Sequence, residues 1–187
     1  MIFIASDHAG FRLKSFVKGW LEKRGFGVCD LGVDSASRVD YPDYAKLLCQ
    51  KLLESNASGA DSNVKRADSG VKRADSGAKS LESSQKVDSS AESKIPKTSD
   101  NSQNLGILIC GSGIGMSMSA NRFEGIRAAL CTSAYMAQMA RAHNDANVLC
   151  MGERLSGEGE VESMLEAFFA TPFEGGRHLE RIQKIRR

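Results

Sequence analysis

The chain has 187 residues and a formal net charge of +2, long enough for one domain with a substantial core and too near neutral for the electrostatic grip that nucleic acid or an anionic membrane requires. No apolar run approaches the roughly 20 residues of a membrane span. The first residues, Met1 to Asp7, carry no basic leader and read as a strand, not a signal peptide. Five cysteines without CxxC spacing argue against a zinc knuckle or a disulfide framework and for a reducing cytoplasm.

Ile2 to Ser6 is a short apolar strand, followed by the turn Asp7-His8-Ala9-Gly10. Phe11, Leu13, Phe16, Val17 and Trp20-Leu21 recur at helical spacing, with Arg12, Lys14, Lys18 and Glu22-Lys23 on the other face, and Gly25 stops that helix. Phe26 to Leu31 is a second strand and Gly32 to Arg38 a polar loop. Asp40-Tyr41-Pro42-Asp43 resembles an N-cap with early proline and acid, opening a helix whose apolar face is Tyr44, Leu47-Leu48 and Leu52-Leu53.

The composition then changes. Residues 55–104 hold 13 serines, no aromatic residue and five large aliphatic ones, and include a direct heptad duplication, Val64 to Gly70 and Val71 to Gly77. Such a segment has too little apolar surface to offset its ordering entropy, and a single repeating apolar position with a closing glycine does not make a coiled coil. It is expected to be a solvated, disordered insertion in a single domain.

The next element is Leu105-Gly106-Ile107-Leu108-Ile109-Cys110, a buried strand that runs straight into Gly111-Ser112-Gly113-Ile114-Gly115 and then a helix over Met116 to Asn121. Gly125 to Cys131 is a fourth strand, Ser133 to Arg141 a helix, Ala146 to Met151 a fifth strand and Gly157 to Ala170 a helix. A glycine pair, Gly175-Gly176, precedes a basic helix from Arg177 to Arg187. Strands alternating with helices predict an α/β fold, a five-stranded parallel sheet with helices on both faces. Ligands in such sheets sit at the carboxyl ends of the strands, where Asp7-His8, Cys110-Gly111-Ser112 and His143-Asn144-Asp145 are expected to meet.

A cysteine is usually a small inert core residue, but Cys110 opens onto a glycine turn whose backbone N–H groups suit an anion, and a helix start favours a thiolate. The glycines run G-x-G-x-G after the third strand, which is not the dinucleotide spacing, and no Walker lysine follows. A phosphatase loop would need arginine where Met116 stands. Spacing leaves a hydrolytic cysteine with His143 as base open. The company of Asp7, His8, Ser112, His143 and Asn144 instead suits a sugar and proton transfer. Arg177, His178 and Arg181 share a helical face after the glycine pair and suit phosphate.

Taken together, Asp7-His8-Ala9-Gly10-Phe11, Asp40-Tyr41-Pro42, Gly106 to Gly115, Ala120-Asn121, Gly125-Ile126-Arg127-Ala128, His143 to Val148 and Glu174-Gly175-Gly176-Arg177-His178 resemble ribose-5-phosphate isomerase type B, a family that also holds galactose- and allose-6-phosphate isomerases. The match spans the chain outside residues 55–104. The resemblance implies reversible conversion of ribose 5-phosphate to ribulose 5-phosphate, without metal or organic cofactor. The corresponding hexose 6-phosphate reaction is the alternative on the same site. It implies a Rossmann-like three-layer α/β/α sandwich acting as a homodimer, with tetramers of paired dimers left open, whose active sites are built from both chains. By position, Cys110 would be the base that moves a proton between C2 and C1 through a cis-enediolate, over a cradle of N–H groups from Gly111, Gly113 and Gly115. His143 would open the furanose, assisted by Asp7 and Ser112, with Asn144 on the sugar. His8, Arg154, Arg177, His178 and Arg181 would hold the phosphate. Ser112 keeps the hydroxyl that many relatives carry as threonine. The insertion is a departure from the pattern and is expected to enter opposite the strand carboxyl ends.

Overall fold

In a computed structural model, which describes residues 1–63 and 103–185, the strands are β1 (Ile2–Ser6), β2 (Val28–Asp30), β3 (Leu105–Cys110), β4 (Ala128–Leu130) and β5 (Val148–Gly152). They form one parallel sheet in the order β2-β1-β3-β5-β4. The helices are α1 (Phe11–Lys23), α2 (Tyr41–Asn63), α3 (Ile114–Ala120), α4 (Ala134–Asn144), α5 (Glu158–Ala170) and α6 (Arg177–Gln183), with a 3-10 turn at His8–Gly10. The expected α/β sandwich is the fold.

Alternation along the central strands builds two cores. Ile2 and Ile4, then Ile107 and Ile109, then Leu149 and Met151 meet Leu13, Val17 and Leu21 of α1 and Met164, Leu165 and Phe168 of α5, with Ala137 and Ala140 of α4 beside them. Phe3 and Ala5, Leu108 and Cys110, and Val148 and Cys150 face Leu48, Cys49 and Leu52 of α2 and Met116 of α3. Each large side chain buried in this way contributes about 1.5–3 kcal/mol. Gly106 brings α2 close: a Cβ there would lie 2.7 Å from Leu48 Cδ2.

The edge strands are shorter than the sequence predicts. Side chains replace ladder bonds before β4, where Asn147 Oδ1 accepts from Arg127 N at 2.8 Å and Asn147 Nδ2 donates to Gly125 O at 2.7 Å. Helix α4 runs past Arg141 to Asn144, ending on Asp145 in the left-handed region (φ 44). Helix α2 continues past Ser55 to Asn63, so the first residues of the expected insertion belong to that helix. Its flanks are joined: Asn104 N donates to Asn56 Oδ1 at 2.8 Å and Asn104 Nδ2 to Ser55 Oγ at 2.7 Å. That junction precedes β3, at the opposite end from Cys110. The heptad copies, residues 64–77, and the expected disorder around them lie outside the described residues, as do Arg186 and Arg187. Among the described residues no helix is long and apolar enough to cross a membrane.

Candidate active site in two halves

Cys110 ends β3 with only 5% of its surface exposed, and its sulfur accepts the backbone N–H of Gly113 at 3.0 Å. A donor aimed at sulfur supports negative charge there. Gly113 sits at φ 76, ψ −16, and a Cβ on it would lie 2.5 Å from Leu130 Cδ1 and 2.9 Å from the Met151 carbonyl carbon. Both backbone angle and space demand glycine. The turn is locked to the chain after β5: Glu153 N donates to Cys110 O at 2.9 Å and Arg154 N to Gly111 O at 3.1 Å. Those bonds lay the Arg154 side chain over Gly111, with Cζ 3.5 Å from where a Cβ would stand. Ser112 Oγ accepts from Ile114 N at 3.4 Å, across the start of α3.

The chain after β1 completes this half. Asp7 N donates to Ile109 O at 3.2 Å, and Asp7 Oδ1 accepts from Ala9 N at 2.9 Å and Gly10 N at 3.1 Å. One carboxylate oxygen therefore caps the 3-10 turn. His8 Nδ1 meets the Val39 backbone, 3.1 Å from its O and 3.3 Å from its N, donating to the first or accepting from the second according to tautomer. Tyr41, at the start of α2, lays its ring against Gly115, 2.7 Å from a Cβ position there. Tyr41 carries no role in the sequence reading, because its contact with Gly115 spans the whole of α2 and the insertion.

Three other cysteines sit in apolar surroundings that disfavour their thiolates. Burial pushes the Cys49 thiol up to about 12 and the Cys131 thiol up to about 11. Cys150 is raised by burial and then by the neighbouring thiols.

His143 does not join Cys110 at the strand carboxyl ends. It lies in the last turn of α4, and helices that return a parallel sheet run against its strands, so α4 ends at their amino edge. Gly106 N donates to Asn147 O at 2.9 Å, at the start of β3, whereas Cys110 pairs with Gly152 at the end of β5. Four residue steps of about 3.3 Å separate Val148 from Gly152, so the two groups stand at least about 13 Å apart along the sheet. The expected single rim is thus corrected to two half-sites on opposite edges.

The second half is tightly built. Arg127 Nε donates to Asn144 O and Asp145 O, both at 2.9 Å, and its Nη2 pairs with Asp145 Oδ2 at 2.6 Å. Arg141 Nη1 holds Asp145 Oδ1 at 3.0 Å and Ala146 O at 2.6 Å. Glu174 N donates to Ala142 O at 3.0 Å, tying the lead-in of α6 to the end of α4. The His143 and His178 rings then stack, centroids 4.2 Å apart and planes within 3°. Glu174 Oε2 lies 3.7 Å from His143 Nε2 and 3.6 Å from His178 Nε2, and Arg177 Nε donates to His178 Nε2 at 3.4 Å. Arg177 and Arg181 are exposed on the same short helix. A groove of about 440 Å³ opens beside this edge, lined by residues 121–127 with Ile182 and Ile185.

His143, Glu174 and His178 have ligand atoms within 4.8 Å of one another, close enough in number and type to hold a metal ion. The parallel rings argue against that use. A nitrogen lone pair lies in its own ring plane, so one ion cannot be coplanar with both stacked imidazoles, and two arginines add like charge. The His178 imidazole titrates below its ordinary value, chiefly through burial and then through the charges of His143 and Arg177, against the pull of Glu174. A neutral imidazole flanked by guanidinium groups is suited to an anion.

Comparison with known proteins decides the family. The sequence matches the Ribose/Galactose Isomerase family over residues 2–60 and 61–185. The chain belongs to that family. It is 35% identical over 184 residues to Escherichia coli ribose-5-phosphate isomerase B, covering 98% of this chain and 93% of that protein. The fold superposes on the Thermotoga maritima ribose 5-phosphate isomerase with a TM-score of 0.72 at 39% identity, over 99% of this chain and 96% of that one. It superposes on Mycoplasma genitalium ribose-5-phosphate isomerase B, solved with bound ribulose-5-phosphate, with a TM-score of 0.70 at 34% identity, over 98% and 92% of the two chains. As a ribose/galactose isomerase, the protein is an aldose–ketose isomerase.

Proposed function

We propose that the protein is a ribose-5-phosphate isomerase that uses Cys110 as its base, in active sites shared between two copies of the chain. The observation that carries this reading is the separation of Cys110 and His143 to opposite edges of one sheet. Neither half can process a sugar phosphate alone: one has a thiol and an N–H cradle, the other an imidazole pair and arginines. A twofold axis sets the carboxyl edge of one chain against the amino edge of its partner and completes two sites at once. Ile114 and Met118 on α3 and Tyr135 and Met136 at the start of α4 leave large apolar side chains in solvent, with Met118 66% and Tyr135 69% exposed, which suits burial against a second copy.

In the shared site His143 opens the furanose. Cys110 thiolate then takes the proton from C2, and the electron pair moves into a C1–C2 enediolate whose oxygens receive N–H groups of the glycine turn. The same thiol returns the proton to C1 while the O2 proton passes to O1, giving the ketose with no net change in redox state. Each preorganised donor at such a charge is worth about 3 kcal/mol. Ser112 and Asp7 assist at the sugar hydroxyls, Asn144 binds the sugar, and His8 and Arg154 approach the phosphate from the Cys110 side. Arg177, His178 and Arg181 approach it from the partner. Five free thiols favour the cytoplasm as its location.

The test is turnover of ribose 5-phosphate by the purified protein and by Cys110→Ala, with allose 6-phosphate and galactose 6-phosphate compared by kcat/KM. Ribose 5-phosphate is expected to be the preferred substrate and Cys110→Ala to be inactive while still binding sugar phosphate. Wild-type rates in Cys110→Ala would overturn the assignment of the base.

A further inference from the structure

Ring opening demands an imidazole that is aimed as well as present. Opening the furanose breaks the C1–O4 bond, takes the proton from the C1 hydroxyl and adds a proton to O4. The group that does this exchanges a proton at one nitrogen, and the ring must be held while it does so. Stacking on His178 fixes the plane of the His143 ring but not its direction within that plane. Its ring nitrogen has one carboxylate beside it, that of Glu174.

We propose that Glu174 is a positioning residue for ring opening, a single carboxylate that fixes the direction of the His143 imidazole within the stacked His143–His178 pair. The inference rests on the isomerase reading given above and adds to it a residue for which that reading has no role.

Three features of the geometry point there. Glu174 is anchored through its backbone, whose N–H donates to Ala142 O at 3.0 Å, one residue before His143. The left-handed glycines that follow, Gly175 at φ 67 and Gly176 at φ 54, fold the chain back so that His178 returns to the same carboxylate. Oε2 then sits almost equidistant from the two Nε2 atoms, at 3.7 Å and 3.6 Å. Because the rings are parallel within 3°, the oxygen cannot lie in both planes, and it can bond only one imidazole at a time. Arg177 decides which. Its Nε–H donates to His178 Nε2, making that nitrogen an acceptor and leaving the carboxylate to His143 when His143 Nε2 carries the proton. The Glu174 side chain is 56% exposed, so it is free to close the remaining gap to hydrogen-bond distance, roughly 2.8 Å.

The experiment separates ring opening from proton transfer. Ribulose 5-phosphate has no ring, so exchange of its C1 hydrogen with deuterated water reads the Cys110 step alone. Ribose 5-phosphate turnover reads both steps. Glu174→Gln keeps the shape of the side chain and removes its charge, and is expected to lower ribose 5-phosphate turnover by about 10- to 100-fold, part of what general acid–base catalysis supplies. Exchange at C1 of ribulose 5-phosphate should stay at the wild-type rate, and Glu174→Asp should recover part of the lost turnover. Equal loss of turnover and exchange would mark Glu174 as merely structural and overturn the proposal, as would wild-type turnover in Glu174→Gln. The isomerase reading fails by a different sign: exchange that survives Cys110→Ala, or a wild-type protein inactive on ribose 5-phosphate.

Discussion

The backbone N–H of Gly113 reaches the sulfur of Cys110 across 3.0 Å, so the residue that must be glycine is also the one that addresses the base. A methyl group at Gly113 would collide with Leu130 and the Met151 backbone, in a conformation (φ 76) that L residues rarely adopt. Gly113→Ala is therefore expected to cost about 2–4 kcal/mol in stability, combining strain and overpacking. By turning the donor away, it should also cost about 100-fold in kcat. Gly111→Ala is the control: its methyl would meet Arg154 Cζ at 3.5 Å, an ordinary contact, so stability should hold. Denaturant unfolding and kcat measured on both variants check the contrast.

The linear code makes one half of the site legible and scatters the other. Strand, cysteine and glycine turn are contiguous, so β3, the turn and α3 emerge from the consecutive residues Leu105 to Ala120. The same holds for Asp7-His8 after β1. The sequence reading puts His143 on the wrong edge because it groups polar clusters by chemistry, whereas a connection from a helix to the next parallel strand lies at the amino ends of the strands. Helix α4 also runs three residues past its predicted stop at Arg141, carrying His143 in its last turn. In sequence Arg127 is only part of a strand. Its guanidinium reaches the loop at Asn144 and Asp145 through a contact that no local period encodes. Tyr41 and Glu174 share that fate, since each acts on a partner more than thirty residues away in sequence.

Arg127 is the brace of the second half, with its guanidinium spread over two carbonyls and a carboxylate of the Asn144-Asp145 turn. Arg127→Ala would leave Asp145, in its left-handed conformation, held by Arg141 alone. The expected loss is about 2–3 kcal/mol, as for hydrogen bonds to a charged group in a partly buried setting. Arg127→Lys should recover only a fraction of it, because one ammonium cannot span three acceptors. Thermal or denaturant unfolding of the two variants measures this, and equal stability of Arg127→Ala and wild type would remove the brace from the account.

The depressed titration of His178 has a definite sign. The imidazole is neutral in the folded protein at a pH where the unfolded chain, near 6.5, is already half protonated. Its contribution to stability is then fully present above that value and is lost as the pH falls below it toward the lower folded value. The unfolding midpoint of the wild type should drop more between pH 7 and pH 5 than that of His178→Asn, which has no proton to take up. Removing the neighbouring guanidinium with Arg177→Ala should move the His178 resonance in an NMR titration back toward its ordinary value. An unchanged resonance would show that the Arg177 charge takes no part in setting it.

The separation of Cys110 from His143 makes a prediction about mixtures that neither variant makes alone. Cys110→Ala and His143→Ala should each be inactive as homodimers. When the two are unfolded together and refolded, random pairing makes half of the dimers mixed. In a mixed dimer, one shared site inherits both lesions and the other inherits neither. That intact site joins the Cys110 of the His143→Ala chain to the His143 of its partner. With one of two sites restored in half of the dimers, the mixture should recover roughly a quarter of wild-type activity. If both residues served the same chain's site, every site would carry one lesion and no activity would return at any mixing ratio. Simple mixing without refolding tests the assembly further. Recovery should follow the rate of subunit exchange, and Met118→Glu, which places a charge in the exposed apolar face of α3, should abolish recovery by keeping the chains apart.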